Sequence, residues 1–242
     1  MKAILLAAGR GSRMKDLTDD RPKCLVEIHG KPLLEWQRAA LKEAGIDEIG
    51  IVTGYRREML ANRGMREFNN PRWEQTNMVT SLACAQDWLE NEPCIVSYSD
   101  IFYSADAVRT LMRSDAALAI TYDPDWRQLW EKRFADPLLD AETFRLNPDG
   151  TLAEIGSQPQ TLGEIEGQYM GLLRISPAAW AEIRRIRTAL PQEWQDRMHM
   201  TGTLQRVIEA GRIPIVPLPY RGEWGEVDSA EDLLAYRSTH EG

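Results

Sequence analysis

Residues 6–23, LAAGRGSRMKDLTDDRPK, place a glycine-rich loop directly after a short apolar strand. Gly9 and Gly11 let the backbone approach a ligand closely and turn its N–H groups toward phosphate oxygens. Arg13 supplies a planar fork of donors suited to the outer phosphates of a nucleoside triphosphate. Lys23 supplies a compact positive charge for the phosphate that is transferred. The stretch therefore predicts a triphosphate-binding loop.

The same residues exclude two commoner phosphate-binding loops. A dinucleotide-binding loop requires Gly-x-Gly-x-x-Gly, but Met14 stands at the third glycine position, and no acidic residue follows a second strand at the expected distance. A Walker loop would close with Gly-Lys-Ser/Thr, which is absent here. The remaining alternative is an ordinary strand-to-helix turn in which the basic residues are incidental.

The loop resembles the signature of the nucleotidyltransferases that make nucleotide sugars and CDP-alcohols. In that family Leu-Ala-x-Gly-x-Gly-Ser/Thr-Arg is followed by Pro-Leu-Thr and then by Pro-Lys. In this chain Asp16 stands where the family has the proline before Leu17-Thr18. That proline stiffens the loop and has no chemical role. The resemblance implies catalytic roles for Lys23 and Arg13. It also implies nucleotide binding by Leu6, Ala7, Ala8, Gly9, Gly11, Ser12, Arg13 and Lys23.

The length and composition limit the class of protein. A chain of 242 residues with a net charge of −8 fits one α/β domain with a small appended lobe. No block of lysine and arginine indicates nucleic-acid binding. The apolar start is too short for a signal peptide, and no apolar run is long enough to span a membrane. The three cysteines lack metal-ligand spacing and are typical of free thiols in a cytoplasmic protein.

The order of the predicted elements indicates an α/β fold. Strands are predicted at 2–8, 49–53, 94–98, 117–122, 142–146, 152–155, 167–175 and 213–216, and helices at 33–44, 78–89, 105–113, 177–189 and 203–210, with a last helix capped by Ser229. This alternation predicts a single Rossmann-like domain with a mostly parallel mixed sheet, of the nucleotide-diphospho-sugar transferase type, plus a small acceptor-binding lobe. Residues 1–122 would mainly bind nucleotide, 123–222 would mainly bind the acceptor, and 223–242 would hold a metal motif and the C-terminal helix.

Three acidic residues are predicted to hold Mg²⁺. Asp100 follows the apolar strand 94–98 at its carboxyl end, where the family has its metal-binding aspartate; the alternative is a turn-forming role. Glu226 and Asp228 lie two apart on an extended segment, so their side chains point the same way. Asp228 precedes Ser229, so capping of the last helix is a competing explanation for it. The segment 224–229, with Asp232, resembles the family's C-terminal metal motif.

Base recognition is predicted for the segment Gln75–Leu82, in which Asn77, Thr80 and Ser81 offer amide and hydroxyl groups at a helix N-terminus. Helix capping by Asn77 is the competing explanation. The segment resembles the Asn-x-x-x-Ser-Leu pattern of the CTP-using branch. Sugar-nucleotide enzymes tend to show Gln-x-x-x-Gly-Leu/Thr-Ala at this point, so the contrast favours CTP.

The acceptor site is predicted around Trp126, Trp130, Arg133 and Tyr169. On a helix the first three would lie on neighbouring turns. Aromatic faces could enclose a quaternary ammonium group, and the arginine could bind the acceptor phosphate. A helix with its tryptophans in the core is the competing explanation. The arginines at 127, 133 and 174 would suit a carboxylate-bearing acceptor, and several segments resemble a branch that acts on phosphoglutamine.

These observations lead to one hypothesis and three alternatives. The hypothesis is a Mg²⁺-dependent cytidylyltransferase that transfers CMP from CTP to an acceptor of the phosphocholine, phosphoglutamine or 2-aminoethylphosphonate class and releases pyrophosphate. Its partners would be CTP and a small phosphorylated acceptor. The sequence leaves open whether the chain forms a homodimer. The alternatives are a uridylyl- or guanylyltransferase that makes a nucleotide sugar, a catalytically silent nucleotide-sensing module, and a glycosyltransferase. The last would need Asp-x-Asp where Tyr98 stands.

Overall fold

The computed structural model describes residues 1–134 and 136–237, without the side chains of Arg13, Lys15, Asp16, Lys132, Ala230, Leu234, Ala235 and Arg237. The strands are β1 (Lys2–Ala7), β2 (Glu27–Ile28), β3 (Lys31–Pro32), β4 (Ile49–Thr53), β5 (Arg66–Asn69), β6 (Cys94–Tyr98), β7 (Ile101–Tyr103), β8 (Leu118–Asp123), β9 (Phe144–Leu146), β10 (Leu152–Ile155), β11 (Gln168–Ile175), β12 (Ile215–Pro219) and β13 (Trp224–Glu226). The helices are α1 (Leu33–Glu43), α2 (Met78–Ala83), α3 (Gln86–Leu89), α4 (Ala105–Met112), α5 (Arg127–Arg133), α6 (Pro177–Thr188), α7 (Gln192–Arg197), α8 (Met200–Ala210) and α9 (Ala230–Arg237).

A seven-stranded sheet in the order β12-β8-β11-β6-β1-β4-β5 forms the centre of the described chain. Its paired strands are parallel except where β11 lies antiparallel between β6 and β8. The near-continuous apolar runs of β1 and β6 suit strands that are covered on both faces. Strands from the first and second halves of the chain thus share one sheet, which supports the prediction of a mostly parallel mixed sheet.

Helices cover both faces of the sheet and bury two apolar clusters. Alternate residues of β1 point to opposite faces, as the period of a strand requires. Ile4 and Leu6 join the cluster that includes residues of α2, α6 and α8. Leu5 and Ala7 join the cluster on the other face, which includes residues of α1, α4 and α5.

The predicted elements differ from the structure in several places, and the elements that were not predicted include the short strands β2, β3, β7 and β13 and the helix α7. The helix predicted at 78–89 is not continuous, because the helical geometry is interrupted between Ala83 and Gln86 and two short helices result. The edge strand β5 was not predicted, since its charged residues Arg66 and Glu67 hide the apolar pattern of a strand. The other predicted strands and helices end within three residues of the observed ones.

A short ribbon connects the C-terminal segment to the end of β6. β13 pairs antiparallel with β7, and Glu226 lies opposite Ile101. The backbone N–H of Val227 donates a hydrogen bond to the carbonyl of Asp100 at 2.8 Å. The ribbon therefore brings residues 226–228 next to the carboxyl end of a central strand. In the described part of the chain, every helix is too short or too polar to cross a membrane.

Candidate active site

The glycine-rich loop folds tightly over Lys23. Gly11 has φ +72°, and a Cβ atom at this position would lie 2.8 Å from Cδ of Lys23. Both the backbone angle and the close approach therefore require glycine. The Thr18 hydroxyl donates a hydrogen bond to the Gly11 carbonyl at 3.1 Å, which holds the far side of the loop against the same residue.

Lys23 is buried and joins two carboxylates from distant parts of the chain. Its Nζ donates a hydrogen bond to Oδ2 of Asp100 at 2.8 Å and a second one to Oδ1 of Asp228. Burial alone would lower the pKa of Lys23, but the negative charges of Asp100 and Asp228 raise it above its usual value. The lysine is therefore held charged between the two carboxylates predicted to bind metal.

Asp100, Glu226 and Asp228 form a group of carboxylates whose ligand atoms lie within 4.8 Å of one another. Oδ1 of Asp100 is buried and has no hydrogen-bond partner among the described residues. Burial, together with the charge of Asp228, raises the pKa of Glu226 to about 8, and Arg133 opposes this effect. Clustered carboxylate oxygens are the ligands that Mg²⁺ prefers, so these residues fit a divalent metal ion.

Asp232 and Ser229 cap the start of α9. Oδ2 of Asp232 accepts hydrogen bonds from the backbone N–H groups of Asp228 and Ser229, both at 2.9 Å. The Ser229 hydroxyl accepts one from the N–H of Asp232 at 3.2 Å. This reciprocal pair is a capping box. The carboxylate of Asp228 faces Lys23.

Arg133 forms buried ion pairs with two carboxylates. Its side chain is only 1% exposed and donates to Glu226 at 3.0 Å and to Asp232 at 2.8 Å. Together these two carboxylates raise the pKa of Arg133 against the effect of burial. Arg133 is therefore not among the residues that line either of the two cavities described below, and its binding of the acceptor stays a prediction. The arginine links α5 to Glu226 and to Asp232 at the start of α9.

A cavity of about 300 Å³ opens beyond the carboxyl ends of β1 and β6. Its lining includes most of the residues predicted to bind nucleotide: Leu6, Ala8, Gly9, Gly11, Ser12, Lys23, Asn77 and Ser81. The Asn77 side chain also accepts from the N–H of Met78 at 2.7 Å, so it caps α2 as well. The cavity is therefore the candidate nucleotide site.

Three predicted nucleotide-binding residues are not among those that line this cavity. The side chain of Ala7 points to the opposite face of the sheet because β1 alternates. The Thr80 hydroxyl faces away, where it donates to the carbonyl of Gln195 at 3.2 Å and accepts from Arg187 at 3.0 Å. The side chain of Arg13, predicted to hold the outer phosphates, lies outside the described residues.

The structure adds cavity residues that the sequence analysis did not single out, among them Trp73, Thr76 and Tyr98. Trp73 packs edge-to-face against Tyr55, with ring centroids 5.3 Å apart. Asn70 donates to both Thr76 and Ser81 at 3.0 Å and so orders the polar side of the cavity. Tyr98 ends β6 two residues before Asp100, a position that could have identified it.

A second cavity, of about 290 Å³, adjoins the first and contains Trp130 and Tyr169 from the predicted acceptor site. Trp126 is not in it, because this side chain is buried in the core and donates to the carbonyl of Ile165 at 3.2 Å. The core explanation is therefore correct for Trp126. Arg127 pairs with Glu131 on the surface, and Arg174 donates to the carbonyl of Ala116.

The second cavity is aromatic and acidic, which differs from the arginine-rich acceptor site that the sequence suggested. Its lining includes the rings of Tyr98, Trp130, Phe144 and Tyr169 and the carboxylates of Asp140, Glu142, Glu226 and Asp228, and no described lysine or arginine. A site suited to a carboxylate-bearing acceptor therefore stays a prediction. Such a lining favours a ligand that carries positive charge.

The carboxylate cluster lies at the boundary between the two cavities. Lys23 and Asp100 line the first cavity, and Glu226 and Asp228 line the second. Tyr98 and Met78 line both. Two ligands could therefore bind side by side with their phosphate groups facing the same lysine and the same carboxylates. This arrangement suits transfer of a phosphate-containing group from one ligand to the other.

Comparison with known proteins agrees with this geometry. Residues 3–198 match the family model of the MobA-like NTP transferase domain. The chain is 38% identical over 250 residues to CTP:phosphoglutamine cytidylyltransferase of Campylobacter jejuni, covering 96% of this chain and 98% of that protein. It is 38% identical over 106 residues to choline-phosphate cytidylyltransferase of Streptococcus pneumoniae, covering 42% of this chain and 46% of that protein. The inositol-1-phosphate CTP transferase of T. maritima has a TM-score of 0.74 at 18% identity, with 100% of this chain and 96% of that chain covered. The fold and the family resemblance predicted from the sequence are confirmed.

Proposed function

Because the chain belongs to the MobA-like NTP transferase family, we propose that it is a Mg²⁺-dependent cytidylyltransferase that transfers CMP from CTP to a small phosphorylated or phosphonate acceptor. The observation that carries the proposal is the position of Lys23 and the three carboxylates between two adjoining cavities. One cavity would bind CTP and the other the acceptor. The choice of CTP is supported by the relatives named above, which are cytidylyltransferases.

The reaction needs no covalent intermediate with the protein. An oxygen of the acceptor phosphate or phosphonate attacks the α-phosphorus of CTP, the bond from that phosphorus to the oxygen bridging to the β-phosphate breaks, and pyrophosphate leaves. Lys23 would neutralise negative charge that develops on the α-phosphate oxygens, and the N–H groups of the loop around Gly9 and Gly11 would hold the outer phosphates. Mg²⁺, held by Asp100 and Asp228 with Glu226, would supply further neutralisation of the triphosphate.

The acceptor class follows from the relatives and from the second cavity together. One relative is named for phosphoglutamine and another for choline phosphate. Both acceptors are small enough for a cavity of about 290 Å³. We therefore propose phosphoglutamine, phosphocholine and 2-aminoethylphosphonate as the first acceptors to examine.

Pyrophosphate release distinguishes this proposal from its alternatives. Purified protein with Mg²⁺ would be given CTP, UTP, GTP or ATP, each with the three acceptors above and with several sugar 1-phosphates. We expect release only with CTP and a non-sugar acceptor, and loss of release on addition of EDTA. Release with UTP or GTP and a sugar 1-phosphate would replace the proposal with nucleotide-sugar synthesis. Binding of CTP without release for any acceptor would favour the nucleotide-sensing alternative.

A further inference from the structure

Glu142 is a carboxylate in the wall of the second cavity with little to balance its charge. Its Oε1 accepts a hydrogen bond from the Thr201 hydroxyl at 3.4 Å, which is long for this type of bond. The ion pairs formed by the described lysine and arginine side chains do not include Glu142. Burial raises the pKa of Glu142, and the nearby Asp140 raises it further. Burying a carboxylate in this way costs free energy unless a cation compensates it.

Aromatic rings line the same cavity. Tyr98 and Tyr169 pack edge-to-face with ring centroids 5.8 Å apart, and the ring of Phe144 forms another part of the wall. Aromatic faces attract ammonium groups, and they also pack against the methyl or methylene groups beside the nitrogen. The combination of a poorly balanced carboxylate and several rings is what a small organic cation requires.

We propose that the second cavity selects acceptors by their positively charged nitrogen and that Glu142 is the counter-ion of this nitrogen. This proposal rests on the proposed function. The acceptor would then be a small molecule with a phosphate or phosphonate at one end and an ammonium group at the other. Sugar 1-phosphates without an amine leave Glu142 unpaired and are disfavoured. Glu142 thus becomes a specificity residue, distinct from the residues that would bind metal and nucleotide.

The test uses two ligands that differ in charge but hardly in shape. In propylphosphonate a methyl group replaces the ammonium group of 2-aminoethylphosphonate. Calorimetry would measure the binding of each phosphonate to the full chain in the presence of Mg²⁺ and α,β-methylene CTP. This CTP analogue cannot transfer CMP. We expect the wild type to bind 2-aminoethylphosphonate about 10- to 100-fold more tightly than propylphosphonate, the range for a hydrogen bond to a charged group.

Variants connect this preference to the residue. Glu142→Gln keeps the shape of the side chain and should bind both phosphonates equally, while its affinity for the CTP analogue stays unchanged. Glu154→Gln makes the same chemical change on β10 at a side chain that lines neither of the two cavities, and should keep the wild-type preference. If Glu142→Gln does not fold, Thr201→Val should weaken the preference in the same direction, because Thr201 orients the carboxylate.

The outcomes separate the two proposals. Three results would overturn the role of Glu142 alone, provided that the CTP analogue still binds. The wild type could bind the two phosphonates equally, it could bind neither of them, or Glu142→Gln could keep the wild-type preference. Failure of the wild type to bind the CTP analogue would overturn the proposed function itself.

Discussion

Replacement of Arg133 by methionine should destabilise the fold strongly, although the residue ends the short helix α5. The guanidinium is 1% exposed and bonds to Glu226 and to Asp232, which are 24% and 4% exposed. Methionine would keep contact with the neighbouring ring of Trp130 but would leave both carboxylates without their cation. Breaking a buried ion pair by removing one partner costs about 3–5 kcal/mol. For a chain of this size that corresponds to a fall in Tm of roughly 6–20 °C.

Urea denaturation followed by tryptophan fluorescence would measure this loss, and the same helix supplies a matched control. Arg127 pairs with Glu131 at 2.6 Å, but the two side chains are 60% and 50% exposed. An exposed pair contributes about 0–1 kcal/mol, so Arg127→Met should change the free energy of unfolding very little. A stability of Arg133→Met within 1 kcal/mol of Arg127→Met would refute the reasoning.

Three further changes have defined outcomes. Lys23→Met should reduce kcat for pyrophosphate release by about 100- to 1,000-fold, as for loss of one preorganised electrostatic contact, and more than a tenth of wild-type activity would contradict its role. Asp100→Asn should keep the wild-type circular dichroism spectrum but need at least about tenfold more Mg²⁺ for half-maximal activity; an unchanged Mg²⁺ curve would exclude Asp100 as a ligand. Burial raises the pKa of Cys24 and of Cys94 to about 12, so at pH 8 only about one thiol in 10⁴ is ionised. Both should therefore resist a thiol reagent that modifies the half-buried Cys84 first, and fast labelling of Cys24 in folded protein, located by mass spectrometry, would contradict their burial.

The local features of the site could be predicted because they depend on short-range backbone geometry. A strand followed by glycines predicts a tight loop at the end of the strand whichever way the rest of the chain folds, and phosphate binding by that loop stays a prediction. Gly11 illustrates this, since its positive φ is a property that glycine alone adopts readily. The alternation of apolar strands and amphipathic helices likewise depends on side-chain period, and it was enough to predict the α/β sheet.

The second cavity could not be predicted from local pattern. Helical spacing correctly put Trp126, Trp130 and Arg133 on neighbouring turns, but it carries no information about what that face meets. In the folded chain Trp126 enters the core, Trp130 reaches a cavity and Arg133 pairs with Glu226 and Asp232. The acidic wall that includes Glu142 belongs to a different stretch of chain.

By itself, the sequence singled out the residue types of the candidate site: a glycine loop, one lysine and a small set of carboxylates. Tertiary structure alone decided which of them meet. Lys23 and Asp228 are 205 positions apart, and they come into contact because β13 pairs with β7 beside the end of β6. Such pairing depends on the register of distant strands and on burial around them, and neither is encoded in any single window of the chain.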